Sequence, residues 1–124
     1  MIVIFGGSYN GKINYCREKY KCNSSEFFYC NNENLVFDKK VICGLHIFVK
    51  SCVEKNINAV DYLKENIHKL KDKIIISDEI NSGVVPVGKE NRVYREECGQ
   101  SLQLLCKSAD EVYRIFFGLE EKLK

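Results

Sequence analysis

Met1-Ile-Val-Ile-Phe5 and the turn Gly6-Gly-Ser-Tyr-Asn-Gly11-Lys12 open the sequence and decide its fold. The first five residues form an apolar, β-branched run with the length of one buried strand. Glycines begin and end the turn, a lysine follows directly, and the segment as far as Tyr20 contains no helix breaker. This order is typical of a phosphate-binding P-loop, in which loop amides, a helix N-terminus and an ammonium group face one anion.

One position of this loop departs from the usual pattern. A serine or threonine that ligates the nucleotide's Mg²⁺ is expected after the lysine, but the sequence has Ile13. The phosphate-binding part depends on backbone amides and Lys12, so it is retained. The alternative is a tight turn with no ligand and a solvated Lys12. The predicted nucleotide-binding residues are Gly6, Gly7, Ser8, Tyr9, Asn10, Gly11, Lys12 and Ile13.

Composition and charge restrict the class of protein. The 124 residues predict a single domain, residues 1–124, and the apolar (45%) and charged (29%) fractions are those of an ordinary globular protein. A net charge of +2 does not suggest nucleic acid or a membrane surface as a partner. No apolar run has the ~20 residues of a membrane span, and no signal peptide is visible. A cytoplasmic protein is therefore expected.

Seven cysteines and two histidines are the candidate metal ligands and nucleophiles. The cysteine count is odd and no pair has CxxC spacing, which favours free buried thiols in a reducing compartment. A zinc site formed by Cys16, Cys22 and Cys30 is the alternative. We expect no metal ligands among these residues, and we expect His68, on a predicted helix, to lie at the surface.

Beyond the opening motif, predicted strands and helices alternate. Strands are predicted at residues 27–29, 41–43, 73–77 and 112–117, with a further one at 35–37. Helices are predicted at residues 45–55, 58–71 and 89–108, with Asn58 as an N-cap, and residues 119–124 are interpreted as a charged tail. The pattern predicts an α/β fold with a mostly parallel sheet, in the three-layer arrangement of P-loop NTPases.

Ligands of such sheets bind outside the carboxyl ends of the strands. Three predicted loops meet this criterion: Gly6–Lys12, Cys43-Gly44, and the segment from Asp78-Glu79 to Pro86. We expect Glu79 to face the same cleft as Lys12 and to pair with it when no nucleotide is bound. Lys12 and Glu79 are accordingly the candidate catalytic residues.

Several motifs together resemble the adenosylcobinamide kinase/adenosylcobinamide-phosphate guanylyltransferase family. Phe5-Gly6-Gly-Ser-Tyr-Asn-Gly-Lys12 resembles that family's N-terminal GGxRSGKS, and Ile76-Ser-Asp-Glu79-Ile-Asn-Ser-Gly83-Val-Val-Pro86 resembles its (T/S)NEVGxG(I/V)VP. Tyr94-Arg95-Glu-Glu-Cys-Gly99-Gln-Ser-Leu-Gln103-Leu-Leu105 resembles FRDxxGxxNQxL, and Ala109-Asp-Glu-Val112 resembles ADEV. The resemblance covers the first twenty residues and nearly all of residues 73–124.

The resemblance implies a nucleotide-binding parallel sheet, GTP or ATP as cofactor, and a corrinoid of the cobalamin pathway as acceptor of a phosphoryl group and then of a GMP group. It also implies an oligomeric protein. In this sequence Ile13 replaces the loop serine, and Cys43 lies where the family has a carboxylate on the Mg²⁺ side. Mg²⁺ binding would therefore lack its usual ligands.

A deletion is the largest departure from the family. The family carries a histidine that accepts the nucleotidyl group between the first helix and the strand at Val41, where this sequence has about twenty mostly polar residues and no histidine. His46 lies in a threonine's place and is not that histidine. The sequence favours a nucleotide-binding relative with weakened or lost catalysis. The alternatives are an active corrinoid kinase without guanylyltransferase activity and a non-catalytic α/β interaction protein.

Overall fold

The computed structural model describes residues 1–80 and 88–124, so the predicted Gly83-Val-Val-Pro86 motif lies outside the described residues. The strands are β1 (Ile2–Gly6), β2 (Phe27–Tyr29), β3 (Val41–Cys43), β4 (Ile74–Asp78), β5 (Glu111–Phe116) and β6 (Leu119–Lys122). The α-helices are α1 (Lys12–Tyr20), α2 (Leu45–Glu54), α3 (Ala59–Glu65) and α4 (Lys89–Ser108), and short 3₁₀ turns occupy Ser24–Glu26 and Ile67–Leu70.

These strands form one sheet in the order β2-β3-β4-β1-β5-β6. Pairing is parallel throughout β2 to β5, and β6 alone is antiparallel, to β5. The predicted α/β class with a mostly parallel sheet is confirmed. β1 is central, which gives the loop that follows it neighbours on both sides.

Side chains alternate along the strands, so the two faces of the sheet have separate cores. Val3, Ile75 and Val112 belong to the core that α2, α3 and α4 cover. Ile4 and Ile76 belong to the core on the face of α1. All these side chains are essentially buried, which explains why the strands are continuously apolar. Helices thus cover both faces, as the three-layer prediction requires.

The charged-tail interpretation of residues 119–124 is wrong, because β6 lies there. A two-residue turn of Phe117 (φ +50°) and Gly118 (φ +75°) joins β5 to β6. Positive φ at both positions matches the twist of a tight hairpin. The side chains of β6 are all exposed, so the strand has no apolar alternation and backbone pairing with β5 holds it. That is why its pattern gave no strand signal.

Two other elements also differ from the prediction. Residues 35–37 do not form a strand, although Leu35 is buried in the core. The predicted helix at 58–71 begins as expected, with the Asn58 side chain accepting from the Asp61 amide at 3.0 Å, but α3 ends before Asn66. The Asn66 side-chain amide donates to the Tyr62 carbonyl at 2.8 Å, a local bond that competes with helix continuation.

Candidate functional site

The carboxyl ends of β1, β3 and β4 meet at one edge of the sheet. Gly6 is opposite Asp78 in the β1–β4 pair, and Cys43 is opposite Ile76 in the β3–β4 pair. The Glu79 amide donates to the Gly6 carbonyl at 2.7 Å and continues this pairing past the strand end. The first residues of the three loops expected to bind ligand therefore lie at the same edge.

The glycine-bounded loop is braced from both sides. The Lys12 ammonium donates to the Gly7 carbonyl at 2.7 Å, and the Gly118 amide of the β5–β6 turn donates to the Asn10 carbonyl at 2.8 Å. Gly11 is the N-cap of α1 and offers no side chain to its first amides. Uncapped amides at a helix N-terminus attract anions through hydrogen bonding and the helix dipole.

Lys12 is buried rather than solvated, with 7% of its surface exposed. Its Nζ forms an ion pair with Asp78 Oδ1 at 2.8 Å. The solvated lysine of the tight-turn alternative is therefore not observed. A buried ammonium beside uncapped amides concentrates positive charge at the loop, and Asp78 neutralises part of it.

Asp78 is the centre of a small polar network. The Ser8 hydroxyl donates to Asp78 Oδ2 at 2.8 Å, and the Asp78 amide donates to His46 Nδ1 at 3.1 Å. Burial by itself would raise the pKa of the Asp78 carboxyl, but the hydrogen bonds from Lys12 and Ser8 outweigh it and hold that pKa below its usual value. Asp78 is therefore ionised at neutral pH.

The expected pairing of Glu79 with Lys12 is wrong. Glu79 Oε2 lies 3.1 Å from Nη2 of Arg114 instead. Successive strand residues point to opposite faces, so Asp78 continues the α1 face of Ile76, whereas Glu79 borders a separate cavity on the α4 side. Counting the period of two along β4 would have identified Asp78. A catalytic role for Glu79 stays a prediction.

His46 is a residue of this site that the sequence reasoning did not include. It lies in the first turn of α2, and its Nε2 is 3.5 Å from Asp78 Oδ2. Burial lowers the pKa of His46 although the charge of Asp78 opposes that shift. The imidazole is therefore neutral at pH 7, with Nδ1 as an acceptor. His46 could have been found from its position, two residues after Gly44, the glycine that follows β3.

The residues present do not fit a protein-bound Mg²⁺ at the positions expected from the resemblance. Ile13 packs against the apolar core on the α1 face. Burial raises the pKa of the Cys43 thiol to about 11, so it is neutral, and sulfur is a poor ligand for Mg²⁺. The Asp78 carboxylate beside the loop is engaged by the Lys12 ammonium and by the Ser8 hydroxyl.

A cavity of about 570 Å³ extends from the loop towards the end of β2. Lys12, Asp78 and His46 line it, and so do Arg17 and Tyr29. Of the predicted nucleotide-binding residues, Ser8, Tyr9, Gly11, Lys12 and Ile13 contribute to its wall. The volume is in the range of small-molecule binding sites.

Comparison with known protein families matches residues 33–123 to cobinamide kinase / cobinamide phosphate guanyltransferase. The matched range is more than half of the chain and includes β3, β4 and α4. The chain belongs to this family. No individually curated protein matches closely enough to count as a relative. The family implies a role like that of these transferases in cobalamin biosynthesis, with nucleotide and corrinoid substrates. The loop Gly6–Lys12 precedes the matched residues.

The other candidate metal ligands are the cysteines and His68, and of these Cys30 and Cys43 line the cavity. All seven cysteines are free, and six of them are buried. Within residues 1–80 and 88–124, no three His, Cys, Asp or Glu side chains are grouped as a metal site would need. His68 is exposed, as predicted. Of the helices in the described part of the chain, none is long and apolar enough to cross a bilayer.

Replacing Asp78 by asparagine is expected to tighten nucleotide binding while lowering stability. Lys12 loses a buried ion pair, which should cost about 1–3 kcal/mol of unfolding free energy. Without the carboxylate, Lys12 is free for phosphate and the like-charge repulsion disappears, so affinity should rise about tenfold. Titration calorimetry and thermal unfolding measure the two effects.

Exposed Asp72, changed to asparagine, is the matched control and should alter neither quantity.

The pH dependence of stability gives a further test. Because the pKa of the Asp78 carboxyl is lowered in the folded state, its ionised form stabilises the protein at pH values above the unfolded pKa of about 4. This stabilisation is lost as the pH falls through the lower, folded-state pKa. Wild type should therefore lose stability below about pH 4 more steeply than Asp78→Asn. Unchanged or weaker nucleotide binding by Asp78→Asn would contradict the assigned role.

Proposed function

We propose that this member of the cobinamide kinase/guanyltransferase family binds a nucleoside triphosphate, GTP or ATP, on the Gly6–Lys12 loop with weakened or lost catalysis. The observation that supports binding most directly is Lys12, a buried ammonium positioned at the uncapped N-terminus of α1. Its Asp78 partner acts as an internal counter-ion that the nucleotide's phosphates displace. The amides bind the phosphates and Lys12 neutralises their charge.

Three features support the proposed loss of catalysis. The hydroxyl expected after Lys12 is the apolar Ile13, and the thiol of Cys43 is neutral where the family has a carboxylate. Residues 21–40, between α1 and β3, contain no histidine that could accept a nucleotidyl group. Phosphoryl transfer depends on positioning and charge stabilisation. These losses should therefore raise its activation free energy by several kcal/mol.

A second candidate function, retained corrinoid kinase activity, is favoured by Asp78. Asp78 supplies a carboxylate in the same cavity as Lys12. The sequence had predicted Glu79 for this role. Asp78 would accept the proton of an acceptor hydroxyl after a nucleotide had displaced Lys12 from it.

The proposal also includes self-association of the protein into an oligomer, as in the family. Ile47 is 40% exposed beside the cavity, whereas its neighbour Phe48 is core and cannot serve as interface.

Calorimetric titration with GTP and ATP, with and without Mg²⁺, tests the proposal. We expect binding of similar affinity in either condition. Affinity that rises more than tenfold with Mg²⁺, together with turnover of cobinamide, would support the kinase instead. Absence of binding in both conditions would refute the nucleotide site and favour a non-catalytic interaction protein.

The double variant Ile13→Ser, Cys43→Asp should restore a dependence of binding on Mg²⁺. Both changes place oxygen donors beside the same loop, so the double variant should gain more than the sum of the single variants. Calorimetry of the four proteins with and without Mg²⁺ measures this coupling. Strictly additive effects would show that Cys43 is not on the metal side of the site.

A further inference from the structure

Arg17 shares the cavity with Lys12 but lies away from the phosphate loop. It is five residues further along α1, a rise of roughly 7.5 Å at 1.5 Å per residue. Both side chains line the same cavity of about 570 Å³. Tyr29, at the end of β2, lines it beside Arg17. Two cationic side chains, Lys12 and Arg17, therefore line the cavity.

The charge of Arg17 has no counter-ion within the described ranges, 1–80 and 88–124. Its guanidinium donates one long bond, 3.5 Å, to the Tyr29 hydroxyl and lies 5.3 Å from the centre of the Phe27 ring. Its Nε–H is shielded from solvent and has no hydrogen-bond partner. A shielded donor of this kind is costly unless a ligand satisfies it.

Cys43 lies close enough to both Lys12 and Arg17 to respond to their charges, and all three side chains line the same cavity. Burial raises the pKa of the Cys43 thiol, and the charges of Lys12 and Arg17 both oppose that rise. Lys12 is neutralised by Asp78, whereas Arg17 is not neutralised by any described carboxylate. Of these two cations, Arg17 is therefore the more attractive to an added anion while Lys12 is paired with Asp78.

We propose that Arg17 and the Tyr29 hydroxyl form a second anion-binding subsite, which takes a phosphate group carried by the acceptor substrate. A guanidinium has the fork of donors that matches phosphate oxygens, and the phenol adds a further donor. The inference deepens the proposed function, because the acceptor would lie beside a nucleotide on the Gly6–Lys12 loop. The inference rests on the proposed function only in assuming that a nucleotide occupies the Gly6–Lys12 loop.

Nuclear magnetic resonance of the Arg17 side chain tests the subsite directly, with inorganic phosphate as the probe. The Nε–H signal of ¹⁵N-labelled protein should shift on titration with phosphate. It should shift by a similar amount in Lys12→Met, which lacks the first anion site. A signal that does not move in either protein, or that moves only in wild type, would overturn the inference. If Lys12→Met loses the phosphate response of the Gly6–Lys12 loop but keeps that of Arg17, the two anion sites are separate and the inference is supported.

Calorimetry then identifies the source of the phosphate. With saturating nucleotide on the loop, Arg17→Gln should weaken inorganic phosphate binding at least tenfold, and Lys50→Gln, which removes the same charge from an exposed position on α2, should not. If phosphate does not bind the nucleotide-saturated protein while Arg17→Gln weakens ATP more than ADP, the subsite serves the nucleotide and the acceptor assignment is overturned. If no nucleotide binds but the Arg17 signal still responds to phosphate, the proposed function fails and the subsite stands.

Discussion

Replacing Lys12 by methionine is expected to weaken nucleotide binding at least about 100-fold. The Lys12 side chain is 7% exposed, and its ammonium group donates to the Gly7 carbonyl within the loop. Charge-assisted hydrogen bonds contribute about 1.5–3 kcal/mol each, and two of them to phosphate correspond to 100-fold or more in the dissociation constant. Methionine keeps most of the aliphatic stem, so its packing is largely preserved. Calorimetric titration with GTP and ATP measures the loss.

Lys50→Met is the control for Lys12→Met, because it removes one positive charge from an exposed helical position. Its affinity should match wild type. Asp78 keeps its bond from Ser8 when Lys12 is gone and is partly exposed, so the variant should remain folded. Equal affinities of Lys12→Met and wild type would show that the nucleotide does not bind at this loop.

The Gly6→Ala substitution is expected to cause the largest loss of stability of any change in the loop. A Cβ on Gly6 would lie 2.4 Å from the carbonyl oxygen of Ile115, and the backbone of Gly6 has φ +157°. The obstacle is the backbone of β5, which cannot move aside without separating two central strands. Overpacking and backbone strain together should cost about 3 kcal/mol or more.

For a domain of this size, that cost lowers the melting temperature by roughly 10 °C. Thermal unfolding measures it. Gly118→Ala is the matched control, because Gly118 also has positive φ (+75°) but nothing lies within 4 Å of its Cβ position. It should lose only about 1 kcal/mol, the strain term. Equal destabilisation by both substitutions would mean that strain alone, without the clash, explains Gly6.

Most of the fold follows from local patterns in the sequence. The apolar strand cores at Ile2–Gly6 and Ile74–Asp78 and the long helix Lys89–Ser108 are where periodicity places them, because burial on both faces demands continuous apolar strands. Local patterns fail where pairing alone makes the structure. β6 has exposed side chains throughout, and α3 ends early at a residue whose side chain bonds back to the helix.

For the candidate site, the sequence by itself determined the family motifs, the loop and the lysine that follows it. It also determined what the loop lacks, since Ile13 and Cys43 can be identified without coordinates. Only the tertiary structure decided which carboxylate meets Lys12. Asp78 and Glu79 are adjacent in sequence, and the pleat of β4 sends them to opposite faces, one to Lys12 and the other to Arg114. The same is true of His46 and Arg17, which join the site because α2 and α1 pack at one edge of the sheet, a relation between distant segments that no local pattern encodes.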